Sequence, residues 1–183
     1  CTLGTSVDTA LAATNTARYL VAEINEQMPR TLGNTLVPLA RLHAFIHTNR
    51  PLHEFESRPP TPIEDAIGEQ VAALVPDGAT LQMGIGAIPD ATLRRLFNKQ
   101  KLGIHTEMFS DGVVDLMEAG VVTNELKQVH RGRTVTSFVA GSQRLFEFVH
   151  DNPSVEFHPC DRTNDTALIR QNPQVVAINS ALE

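Results

Sequence analysis

Gly84-Ile85-Gly86-Ala87-Ile88-Pro89-Asp90, followed by Gly103-Ile104-His105-Thr106-Glu107-Met108-Phe109-Ser110-Asp111-Gly112, is the stretch that decides how this chain folds. Each half reads as strand, tight turn and helix. Glycine at 84 and 86 lets a backbone come close to a ligand, and a helix beginning near Pro89 presents unpaired N–H groups at its positive end. In the second half Glu107 is the single acid between Gly103 and Ser110, placed where a strand gives way to a turn. The two turns are expected to form one active site.

Around this stretch, strand and helix patterns alternate. Thr80–Met83 reads as the strand leading into the first turn, with a helix from Pro89 to Phe97. Strand 102–106, helix 110–118 stopped by Gly120, strand 134–140, helix 142–149 and strand 155–157 follow. A short helix over 167–171 and a strand from Val175 complete the series. Such alternation predicts an α/β fold, an open and mainly parallel sheet with flanking helices, incomplete at both ends. Ligands of such sheets lie beyond the carboxyl ends of the strands, where both turns fall.

Upstream, Ser6 or Asp8 is expected to cap a short helix through Ala13, and residues 19–24 read as a strand. Pro51, Pro59, Pro60 and Pro62 mark a linker. It ends in Thr61-Pro62-Ile63-Glu64, a helix start with a hydroxyl cap, proline at the first helical position and glutamate at the third. Ile63, Ala66, Ile67, Val71 and Leu74 share one face at helical spacing, the face expected to be buried. Residues 1–58 are therefore expected to end a first domain, and 59–183 to begin a second, catalytic one. The chain opens on Cys1 rather than Met and stops in strand-like sequence, so it is read as the central part of a longer protein.

Composition narrows the function. With 15 Lys+Arg against 21 Asp+Glu, the net charge of −6 argues against nucleic acid as the main partner. No apolar run reaches the length of a membrane span. Cys1 and Cys160 lack metal or redox spacing and read as reduced cytoplasmic thiols. The histidines show no metal spacing beyond the four-residue gap of His43 and His47, so no metal is expected. Glycine 84 and 86 fit neither the dinucleotide fingerprint nor a nucleotide-triphosphate loop, and a packing role explains such turns as readily as ligand binding. A solvated or capping role is the plain alternative for Glu107. At the end of a buried strand, short of water, it can instead act as a covalent nucleophile on an activated acyl group. His105, in phase with Glu107, is either an orienting residue or a proton carrier. Asp111 reads as a helix-start acid. Gly141-Ser142 repeats the strand-turn-helix arrangement and reads as an ordinary N-cap or as a seat for a second anionic group.

These pieces together resemble the acetyl-CoA hydrolase/transferase family, which includes 4-hydroxybutyrate and succinyl-CoA:acetate CoA-transferases. The resemblance is carried by 84–91, by 102–108 with Ser110-Asp111-Gly112, by Ser137-Phe138-Val139-Ala140-Gly141-Ser142, by 176–183 and, earlier, by Met28-Pro29-Arg30-Thr31 with Gly33. It implies a cytoplasmic, homodimeric CoA-transferase that moves coenzyme A between an acyl-CoA and a short carboxylate by ping-pong chemistry, with no metal. Glu107 takes the family's nucleophile position, and the N–H of Ile85 or Gly86 serves the oxyanion. Gly84, His105, Gly141 and Ser142 complete the implied oxyanion and CoA-binding set. The family also carries a later glycine-rich segment that this sequence lacks. Two other readings stay open: acyl-CoA hydrolysis, and a non-catalytic CoA-binding module.

Overall fold

The proline-rich linker gives way to helix through local chemistry that needs no tertiary help. In the computed structural model, which describes residues 1–55 and 58–180, the Thr61 hydroxyl accepts from the Glu64 N–H at 3.3 Å. The Glu64 carboxylate in turn accepts from the Thr61 N–H at 2.7 Å. Two of the N–H groups left unpaired at a helix start are thereby satisfied, which stabilises α2 (Pro62–Ala73) by about 1 kcal/mol.

The face that α2 buries differs from the one predicted. Ile63, Ile67 and Leu74 are exposed, Leu74 by 80%, and the helix buries Gly68 and Ala72. Small residues won because α2 lies very close to α3 (Ala87–Leu93). A Cβ on Gly68 would stand 2.8 Å from the Ala91 carbonyl carbon. Periodicity reports that an apolar face exists, but close backbone approach is governed by residue size.

The strands all pair in parallel. β3 (Thr80–Met83) lies between β4 (Gly103–Ile104) and β9 (Val175–Ile178). A bridge from His105 to Val135 joins β4 to β6 (Thr134–Thr136), which pairs with β8 (Val155–Phe157). Beyond a local break, β5 (Met108–Phe109) pairs with β7 (Phe138–Val139). The order β9-β3-β4-β6-β8 is the open parallel α/β sheet predicted, and α4 (Asp111–Glu118) and α5 (Gln143–Val149) follow their strands as expected. The strand predicted over 134–140 is two strands interrupted at Ser137, the helix predicted over 167–171 is the single turn α7 (Thr166–Ile169), and a further single turn, α6 (Cys160–Thr163), precedes it unpredicted. α3 starts at Ala87, two residues before Pro89, because Gly86 at φ +115° makes the bend that starts the helix, and it stops at Leu93.

Leu81, Met83, Leu93, Leu96, Ile104, Phe109, Val113, Leu116, Leu145 and Phe157 form the core on which these helices rest. Val7, fully buried, belongs to the same core, and its N–H donates to the Ser137 carbonyl at 2.9 Å. The earlier residues also form their own parallel pair, β1 (Val21–Asn25) with β2 (Ala44–Thr48), preceded by α1 (Ala10–Thr16). α1 starts at Ala10 and has no side-chain cap, so neither Ser6 nor Asp8 serves as one.

One buried cation stiffens the centre of the sheet. Lys127, 1% exposed, donates from Nζ to the carbonyls of Ile104 at 2.7 Å and Arg133 at 2.6 Å. Burial pulls its pKa down to about 7, an effect the Glu156 charge partly offsets. Gly103 makes room for it: a Cβ there would meet the Lys127 stem at 2.8 Å.

Candidate active site

Two threonines set the geometry at the carboxyl ends of the strands. The Thr106 hydroxyl accepts from the Met83 N–H at 3.0 Å and lies 2.9 Å from the carbonyls of both Met83 and Met108. One strand further on, the Thr136 hydroxyl lies 3.1 Å from the Glu107 carbonyl and 2.8 Å from that of Phe138. Each hydroxyl takes over contacts that a ladder would otherwise make, and the residue after it leaves the regular strand. Those residues are Glu107 and Ser137. Because Met83 precedes Gly84, the Thr106 clip also ties Glu107 to the start of the glycine turn.

Within that turn the glycines have different duties. A side chain at Gly84 would meet Asn179 Oδ1 at 2.7 Å, and its N–H is already given to the Ile178 carbonyl at 2.7 Å. Gly84 is thus a packing glycine against β9, not an approach point for ligand. Gly86 is required by its positive φ, a conformation in which an L side chain is strained. The N–H groups of Ile85 and Gly86 donate to no partner among the described residues, and the Ile85 side chain is exposed.

Glu107 is half-buried and so keeps more contact with water than the sequence suggested. Its carboxylate accepts a 2.6 Å hydrogen bond from the side-chain amide of Asn164, at the end of α6. His105 is on the same side, as the alternation predicted, but it is 2% exposed and its Nε2–H donates to the Thr163 carbonyl at 3.0 Å. Burial, reinforced by the nearby Lys127 charge, brings its pKa down to about 4, so the ring is neutral near pH 7. This favours the orienting role over the proton carrier. Asn164 and Thr163 were not singled out in the sequence, and Ser137 entered only within the segment that carries the family resemblance. The only local hint was the repeated threonine spacing of Thr106-Glu107-Met108 and Thr136-Ser137-Phe138.

A cleft of about 730 Å³ opens beside these strand ends. Ile85, Gly86 and Ala87 line one side, Met108, Ser110 and Asp111 another, and Phe138 to Gly141 a third. The two turns therefore do share one cleft, although Glu107 itself is not in its wall and aims at Asn164. The Gly141-Ser142 turn is closed to an outside anion. Asp111 accepts from the Ser142 N–H at 3.0 Å and from the Ser142 hydroxyl, and Glu54 accepts from the Gln143 N–H at 2.8 Å. The protein's own carboxylates thus satisfy the start of α5, which weighs against the reading of this turn as a seat for a second anionic group.

One group of residues has the composition of a metal centre. Ligand atoms of His130, Glu156 and His158 lie within 4.8 Å of one another. Sequence spacing missed it because His130 comes from the loop before β6 and the other two from β8 and the residue just after it. The surroundings favour protons over a cation. The Arg162 guanidinium is 3.1 Å from His130 Nε2, which must accept, so His130 Nδ1–H donates to Glu156 at 2.6 Å. Arg133 stands 3.8 Å from the other Glu156 oxygen.

Parallel strands ending in a glycine turn, with an interrupted strand bearing Glu107, make an α/β unit whose fold is that of solved CoA-transferases. A crystal structure of 4-hydroxybutyrate CoA-transferase from Porphyromonas gingivalis superposes on the whole chain with a TM-score of 0.96 at 42% identity, over 47% of that protein's chain. RipA from Yersinia pestis matches 96% of this chain and 41% of its own, with a TM-score of 0.92 and 38% identity. Residues 141–183 match the acetyl-CoA hydrolase/transferase C-terminal domain. The entire chain aligns at 46% identity with a succinyl-CoA:acetate/propanoyl-CoA:succinate CoA transferase of Fasciola hepatica, covering 38% of it. It aligns at 43% identity with the 4-hydroxybutyrate coenzyme A transferase of Clostridium kluyveri, covering 43% of that protein. Over its whole length the chain is similar to these CoA-transferases, and over residues 141–183 it matches the acetyl-CoA hydrolase/transferase family. It spans about two fifths of the length of these curated relatives. Among the described residues no helix is long and apolar enough to cross a membrane.

Proposed function

We propose that this protein is a CoA-transferase that exchanges coenzyme A between an acyl-CoA and a short carboxylate, with Glu107 as nucleophile. The observation that carries this reading is the Glu107 carboxylate, held by the Asn164 amide at 2.6 Å at the carboxyl edge of a parallel sheet and clipped through Thr106 to a turn whose Ile85 and Gly86 amides have no partner among the described residues. A carboxylate is a weak nucleophile, so it needs orientation and a stabilised oxyanion more than it needs a base. Glu107 attacks the thioester carbonyl, forming a C–O bond as the C–S bond breaks, and gives a mixed anhydride and CoA thiolate. The thiolate attacks the glutamyl carbonyl and expels the first carboxylate, leaving a glutamyl-CoA thioester. The incoming carboxylate repeats the two steps in reverse, and Glu107 is returned unchanged. The Ile85 and Gly86 N–H groups serve the oxyanions, and the Asn164 amide holds the attacking oxygen in line. No proton transfer to His105 and no metal is needed.

In this reading residues 1–58 close a first domain, 59–183 open the catalytic one, and the whole protein works as a cytoplasmic homodimer. Support for a hydrolytic variant comes from the half-exposed position of Glu107, which leaves water a path to the anhydride or thioester. Incubation with an acyl-CoA, borohydride reduction and peptide mass analysis tests the main reading: reduction products are expected on Glu107. An active preparation with Glu107 unmodified would sink it. Thioester loss measured with and without added acetate separates transfer from hydrolysis.

A further inference from the structure

α6 is a single turn of four residues, far too short to hold its own position. Yet its last residue, Thr163, is 1% exposed, and the next, Asn164, reaches Glu107. What fixes this turn lies beneath it. His105 Nε2–H donates to the Thr163 carbonyl at 3.0 Å, and Ser137 Oγ lies 2.5 Å from Thr163 Oγ1. His105 and Ser137 are both buried: His105 lies two residues before Glu107, and Ser137 sits at the break of the neighbouring strand. The Ser137 N–H also donates to the Glu107 carbonyl, at 2.8 Å.

We propose that His105, Ser137 and Thr163 form a buried clamp whose task is to position the Asn164 amide against the Glu107 carboxylate. All three are positioning residues: none touches the reacting atoms, and each acts through Asn164. The clamp refers both partners of the 2.6 Å contact to the same pair of strands. A shift of the sheet therefore carries carboxylate and amide together. A break in the clamp moves the amide alone. The proposal rests on Glu107 being the nucleophile.

Thr163→Val keeps the volume and the backbone carbonyl and deletes the hydroxyl. In the CoA-transferase assay its kcat is expected to fall about tenfold, with the KM for acyl-CoA held within about twofold, because geometry at the nucleophile is altered and ground-state binding is not. Thr163→Ser restores the hydroxyl and is expected to recover activity. The decisive measurement is a double-mutant cycle with Asn164→Ala. Once the amide is gone, Thr163→Val is expected to lower kcat by less than about twofold, since the two residues act as one unit. An undiminished effect in the Asn164→Ala background would mark Thr163 as merely structural and overturn the clamp. So would wild-type kcat for Thr163→Val beside an inactive Glu107→Ala, a result that leaves the nucleophile assignment standing. An active Glu107→Ala would remove that assignment and the clamp with it. Should Thr163→Val fail to fold by circular dichroism, Ser137→Ala carries the same cycle with the same expected outcomes.

Discussion

The Gly84 turn with Glu107 and the Gly141 turn with Asp111 look alike in sequence: a strand, a glycine, a helix start and an acid nearby. In the structure they are opposites. Asp111 spends its carboxylate on Ser142, and with Glu54 it closes the start of α5. Glu107 keeps a single side-chain amide partner, and the amides of Ile85 and Gly86 stay unpaired among the described residues. A helix start attracts whichever anion is at hand, so an acid on the adjoining strand end decides whether the site is open to a ligand or already satisfied from within.

This contrast can be tested at three strengths. The largest effect concerns the floor beneath Glu107. His105 is held near pKa 4 in the folded protein against an ordinary 6.5, so between those values the unfolded chain binds more protons. The folded state therefore loses stability as pH falls from 6.5 towards 4, by on the order of 3 kcal/mol, and recovers it as pH rises. Urea unfolding at pH 7 and at pH 4.5 should report the difference, and His105→Gln should flatten the slope. An equally steep slope in that variant would assign the loss to other groups.

Next in size is Gly86→Ala. At φ +115° and ψ −179° the backbone lies in a region essentially reserved for glycine. Forcing it elsewhere turns the Ile85 and Gly86 amides away, and transferase kcat is expected to drop about 100-fold, a typical consequence of losing an oxyanion donor. Unchanged turnover would place the donors elsewhere. The smallest effect is reserved for the closed turn. Asp111→Ala removes the partner of the Ser142 N–H, and a stability loss of about 1 kcal/mol, read as a lower Tm, is expected. A loss of transfer out of proportion to that would erase the distinction between the two turns.

How much of this was legible depends on whether the chemistry was local. The capping box of Thr61, Pro62 and Glu64, the strand Thr80–Met83 and the helix after Ser110 were readable because the residues that decide them are neighbours in sequence. The buried face of α2 was not. Two small residues, Gly68 and Ala72, beat a row of larger apolar ones because α3 stands so close. Asn164 escaped notice for another reason: its tie to Glu107 spans the chain from β4 to α6, and no periodicity encodes a contact made by one amide. The Ser137 break is equally silent, since it depends on where the Thr136 hydroxyl finds a carbonyl.

The contact between Gly84 and the Ile178 carbonyl bears on the order of folding. β3 is flanked on one side by β4, a near neighbour in sequence, and on the other by β9, some 95 residues further along the chain. Closing so long a loop is slow, because its entropy is lost before the pairing rewards it. The strand pair holding Glu107 can therefore assemble early, while the glycine turn stays unanchored until β9 docks. The Ile85 and Gly86 amides should therefore settle after β3 and β4 have paired, as later protection from hydrogen exchange would show.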